Sequence, residues 1–230
     1  MTTVSQESLV IDMKRISLVL SCLALIAAFL VSCSSGGMVT MEYNEEGILV
    51  ADNGREYYYA PVGYEPTSQG DEYGEIDGVL SEKLYCIGDI DPKKWITTEY
   101  SGATTTVFYS TDIQLPELSE LEPDTAFICE QDENVYSVYT LGDPENDKVD
   151  EERAIIAKII EMLCDESIES EIWPRATTTE VYDIKLYSED WPAIYYNLEY
   201  SREGSGNYVY DRVSKRCINI GDLLEGYFEE

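Results

Sequence analysis

A long apolar run near the start separates residues that can join a folded core from residues that cannot. Residues 16–30 are apolar apart from Ser17, Ser21 and Cys22, and Lys14 and Arg15 stand directly before them. Fifteen residues is short against the ~20 that a membrane-spanning helix needs. Retention as an uncut signal anchor is therefore the weaker reading. A basic start, an apolar run of this length and small residues at its exit make a secretory signal. The folding part of the chain lies beyond it.

That exit reads Leu30-Val31-Ser32-Cys33. An aliphatic residue, a tolerant position, a small residue and then Cys resembles the lipobox of bacterial lipoproteins, a resemblance confined to the signal segment. It implies that cleavage falls between Ser32 and Cys33, that Cys33 becomes the lipid-modified mature N-terminus, and that palmitate-type acyl chains hold it. Several chains on one Cys suffice for stable anchoring, at ~0.8 kcal/mol per buried methylene. The expected location is the cell membrane, lipid-anchored and facing the extracytoplasmic side. Ser34-Ser35-Gly36-Gly37 suits a flexible spacer. Cutting nearby by a non-lipid signal peptidase is the competing reading. The leader before Met13 is polar, carries Glu7 and Asp12, and delays the basic pair, so Met13 is the expected start.

The expected mature chain, 33–230, suits one extracytoplasmic domain from residue 38 onward, or two subdomains at 38–142 and 143–230. Loss of residues 1–32 removes two basic and two acidic side chains, which leaves the net charge at −31. With 44% hydrophobic residues and 19 tyrosines, enough apolar surface exists to offset chain entropy, and the charge belongs outside. Such a surface repels nucleic acid and anionic headgroups. Basic proteins, metal cations and neutral ligands are the compatible partners, although solubility alone accounts for a charge of this kind.

Cys86, Cys129, Cys164 and Cys217 remain after Cys22 leaves with the signal and Cys33 takes lipid. An even number in an exported chain allows two disulfides in three pairings. Small buried thiols in settings such as Leu84-Tyr85-Cys86-Ile87 fit equally well. A CxxC redox or zinc pattern is absent.

The spacing predicts mostly extended structure. Gly47-Ile48-Leu49-Val50, the turn Asp52-Asn53-Gly54 and residues 55–62 read as a hairpin. Residues 63–78 read as loop. Strands are expected over 84–90, 95–100 and 104–110, with one or two amphipathic turns within 112–124. A second hairpin spans 126–131 and 135–141 about Asp132-Glu133-Asn134. Ile156, Ile159, Ile160 and Leu163 fall at i, i+3, i+4 and i+7, which predicts one principal amphipathic helix at about 148–165. Residues 143–147 offer several caps, and Asp150, Glu151 and Glu152 suit the first turn. A C-terminal meander follows over 180–188, 193–202, 207–212 and 216–220, then a short closing helix. Ile194, Tyr196, Leu198 and Tyr200 alternate with Tyr195, Asn197, Glu199 and Ser201, the pattern of a sheet wet on one side. The expected class is α+β: mostly antiparallel β-sheet with one principal helix and a closing meander. Ala-Thr-Thr-Thr recurs at 103–106 and 176–179, and strand propensity alone explains it.

No catalytic signature stands out. The chain has no histidine, which removes Ser-His-Asp and Cys-His activation, HExxH zinc catalysis and every His-ligated metal site. SxxK, GxSxG, GxxxxGK and GxGxxG are also absent. The acidic stretch 143–152 lacks the glycine and alternating spacing of a calcium loop. No cofactor or metal is expected. Trp95, Trp173 and Trp191 are the candidate ligand contacts, the last two each standing before a Pro that holds them extended, although plugging one end of a core is the favoured role for such a Trp. The Tyr57-Tyr58-Tyr59 run fits a half-buried strand without a ligand. The expected function is a membrane-anchored, non-catalytic module binding a protein or glycan. The alternative is a cell-envelope glycan hydrolase working through a carboxylate pair.

Overall fold

A computed structural model describes residues 38–78, 82–99, 105–130, 137–174, 180–203 and 206–227. The expected signal segment with Ser32 and Cys33, the turn expected at Asp132-Glu133-Asn134 and residues 176–179 lie outside these.

Short strands joined by tight turns build the first part: β1 (Val39–Tyr43), β2 (Leu49–Ala51), β3 (Glu56–Tyr59), β4 (Tyr64–Pro66), β5 (Glu72–Ile76), β6 (Glu82–Cys86), β7 (Trp95–Thr98) and β8 (Val107–Ser110). The turn into β2 is held by Asn44, whose Oδ1 accepts the N–H groups of Glu46 and Ile48. Gly54, at φ +81°, closes the next turn, a backbone shape that costs glycine little. All but β4 close into a seven-stranded barrel in the order β1-β2-β3-β8-β7-β6-β5. At the seam the Asp77 N–H reaches Met41 O at 2.8 Å. Met41, Leu49, Tyr57, Leu84, Ile96 and Phe108 are buried in this half. Cross-strand pairs such as Leu49–Tyr57 and Ile96–Phe108 follow the two-residue period of a pleated strand.

The second part is a larger antiparallel sheet: β9 (Thr125–Glu130), β10 (Ser137–Leu141), β11 (Glu180–Tyr187), β12 (Ile194–Glu203), β13 (Gly206–Asp211) and β14 (Cys217–Asn219). Its order is β10-β9-β11-β12-β13-β14, and β4 joins it by pairing with β12. Helix α1 (Val149–Cys164) buries Ile156, Ile159, Ile160 and Leu163, in one core with Ile128, Ile184, Leu198 and Val209 of the sheet. No helix among the described residues is long and apolar enough to cross a membrane.

The α+β expectation is corrected: the chain is mostly β, with fourteen strands against one α-helix among the described residues, and half of those strands form a closed barrel. Closure depends on β1 meeting β5, a non-local pairing that periodicity along the chain does not report. The loop expected over 63–78 holds β4 and β5, because three- to five-residue strands rich in Glu, Gly and Pro carry little strand signal. The sheet of 180–220 also extends to β9 and β10, which precede residue 142.

Two finer expectations change as well. The residue flanking α1 is Lys148, which makes no side-chain cap. Glu152, from within the helix, instead folds back on the preceding loop and accepts Tyr139 Oη, Gly142 N and Asn146 Nδ2 at 2.8–2.9 Å. The second face of β12 is not wet, for Tyr195, Asn197, Glu199 and Ser201 are all buried. Alternation tells which residues share a face, whereas burial depends on what else reaches that face.

Candidate functional site

Trp95 and Trp191 come from distant parts of the sequence and meet. Trp95 opens β7 after the connection Asp89–Lys94, which is built as a tight turn. Asp91 Oδ1 accepts the Lys93 N–H at 3.0 Å, and Asp91 O accepts the N–H groups of Lys94 and Trp95. Pro92 suits that turn because its φ is already fixed. From inside the barrel the Tyr57 hydroxyl donates to Pro92 O at 3.0 Å.

Trp191 sits in the β11–β12 turn. Its N–H bonds Ser188 O, and its own carbonyl accepts the N–H of Ile194. Thr67, just past β4, pins this turn by donating its N–H to Ala193 O and its hydroxyl to Pro192 O. The two indoles lie edge to face with centroids 6.3 Å apart, and Trp95 also meets Tyr109 at 6.0 Å. Such aromatic pairs add to what burial alone supplies.

Beside them lies a cleft of about 610 Å³ lined by Asp89, Ile90, Asp91, Lys94 and Trp95, by Ile113 and Gln114, and by the turn 190–193. Its inner surface is apolar, with Trp95 only 6% exposed and Ile90, Ile113 and Trp191 packed on the core. Asp89, Asp91, Asp190, Lys94 and Gln114 stand exposed around the mouth. A volume of this size falls within the range of small-molecule sites, ~300–1,000 Å³. The tryptophans were legible as candidates one by one. Asp89 and Asp91 fall at the end of the strand expected over 84–90, and nothing local in the sequence signals that Asp190 joins them.

Trp173 lies elsewhere. It stacks on Tyr210 at 5.4 Å and 22°, and its buried indole N–H makes no hydrogen bond to a described residue. The four cysteines are free thiols: Cys129 and Cys217 buried, Cys86 half-buried, Cys164 exposed. Burial raises the Cys129 thiol and pushes Cys217 up to about 11.

The second face of β11–β12 carries a carboxylate pair, Asp183 directly across from Glu199. Glu199 is 1% exposed and accepts both Nε, at 2.6 Å, and Nη2 of Arg212 on one oxygen. Burial raises the Asp183 carboxyl against the pull of Arg212. Glu65 of β4 completes the network, accepting the Tyr195 hydroxyl at 2.5 Å and Asn197 Nδ2 at 3.0 Å. Lys185 Nζ lies over the Tyr195 ring at 5.2 Å. These partners satisfy the buried polar cluster only in part, for Asp183 Oδ1 and Asn197 Oδ1 make no hydrogen bond to a described residue. Two carboxyls on facing strands resemble an acid–base pair in outline, but Glu199, 1% exposed, offers no surface on which a sugar could sit.

No three His, Cys, Asp or Glu side chains among the described residues are grouped to hold a metal ion. No protein-family model, curated protein or solved structure matches this chain.

Proposed function

We propose that this chain is a lipid-anchored extracytoplasmic binding module whose ligand occupies the Trp95–Trp191 cleft. The anchor reading rests on the basic pair, the apolar run and Leu30-Val31-Ser32-Cys33. The observation that carries the binding reading is the cleft itself, an apolar recess formed by two indoles from separate segments beneath a polar mouth. Each wall is fixed by backbone hydrogen bonds, which reduces the ordering cost of binding. Binding is favoured over glycan hydrolysis because Glu199 is held by Arg212 and neither Glu199 nor Asp183 lines the cleft.

Two measurements test this. Replacement C33A should move the chain from the detergent phase to the aqueous phase and abolish incorporation of labelled palmitate. Unchanged partitioning would remove the anchor. Envelope glycans and small molecules are then screened by thermal shift and tryptophan fluorescence on the lipidated chain beside W191A. A ligand weakened at least about tenfold by W191A, a loss on the scale of one buried aromatic contact, supports the cleft. A ligand indifferent to W191A places the site elsewhere.

A further inference from the structure

We infer that the cleft selects an amphipathic organic cation, a ligand with an apolar body for Trp95 and Trp191 and an ammonium or guanidinium group for its mouth. This deepens the binding reading above and rests on it. Three carboxylates line the cleft against a single ammonium, that of Lys94. They arrive from two separate segments, Asp89 and Asp91 from the β6–β7 connection and Asp190 from the β11–β12 turn. Asp89, Asp190 and Lys94 make no hydrogen bond or ion pair through their side chains with any described residue. The cleft lining therefore carries net negative charge, three carboxylates against one ammonium, beside two indoles, and both features attract cations.

An anion meets repulsion from these groups and from a chain of net charge −31. A neutral ligand gains from the indoles alone. A bare metal ion fits poorly, since the carboxylates do not gather into a group of three around one point. Charge spread around a roomy apolar recess suits a cation that is itself spread out.

The test titrates the full lipidated chain in detergent by calorimetry with three probes of one shape: 2-phenylethylammonium, 2-phenylethanol and 3-phenylpropanoate. At low salt the ammonium should bind about tenfold more tightly than the alcohol, the combined scale of one cation–π contact and the facing carboxylates. That preference should shrink as salt is added, and the anion should not bind. The double replacement D89N/D190N should bring the ammonium down to the level of the alcohol, and W191A should weaken both. Equal binding of ammonium and alcohol would overturn the cation inference and leave the binding reading standing. Absence of binding by all three would overturn the cation inference, while the binding reading is decided by the W191A screen above. Ammonium binding indifferent to D89N/D190N and W191A would assign it to the acidic surface at large and overturn the inference.

Discussion

Gly142 donates its backbone N–H to Glu152 Oε2 at 2.8 Å, tying the end of β10 to the first turn of α1. Gly142 has φ +77°, and a Cβ there would collide with Asp124 O. Replacement G142A should cost about 2–4 kcal/mol, combining backbone strain with that overlap. E152A should cost a similar ~2–4 kcal/mol by leaving three donors without their acceptor. Chemical denaturation checks both, and a loss below about 0.5 kcal/mol, the scale of an ordinary surface substitution, would show that the junction is not a stability determinant.

Half-buried Arg212 and buried Glu199 form an ion pair whose halves depend on each other. R212M should destabilise by about 3–5 kcal/mol because it strands the Glu199 charge, whereas R212M/E199L should recover much of the loss. A double-mutant cycle by urea denaturation measures the coupling. Simple additivity of the two single replacements would contradict it.

Asp183 gives stability a pH dependence of known sign. Burial raises its folded-state carboxyl pKa, so the folded chain holds this proton more tightly than the unfolded chain does. That stabilising contribution is complete below the ordinary carboxylate range of about 4 and is lost as pH rises through the raised folded value. The difference in Tm between D183N and the parent should therefore move in favour of D183N from mildly acid to mildly alkaline pH. A parallel pair of Tm curves would count against it.

The thiols should react in order of exposure. Cys164 should label first under native conditions, Cys86 more slowly, and Cys129 and Cys217 only on unfolding, since a buried, protonated thiol is a poor nucleophile. Intact-mass counting of alkylated sites reads the order. Fewer than four reactive thiols in the unfolded, unreduced chain would reveal a disulfide.

What was legible in the sequence was local. The spacing of Ile156, Ile159, Ile160 and Leu163 locates α1 within a residue at either end, and Asp52-Asn53-Gly54 marks the β2–β3 turn. What escaped was long-range. Nothing between Met41 and Asp77 announces that their backbones will meet at the barrel seam. The same holds for the site, where two tryptophans could be named but not their meeting. Glu199 looks like a solvent-facing residue until Arg212 and Glu65 are brought alongside.

The loan of β4 to the larger sheet has a consequence for biogenesis. Glu65 and Tyr195 are joined across 130 residues, so the threaded segment must wait until almost the whole polypeptide has emerged before it finds its mate. Contacts of such reach slow folding and leave a strand edge open to wrong neighbours in the meantime. Truncated products ending before residue 194 should accordingly be sticky and short-lived, a demand on whatever chaperones receive this chain.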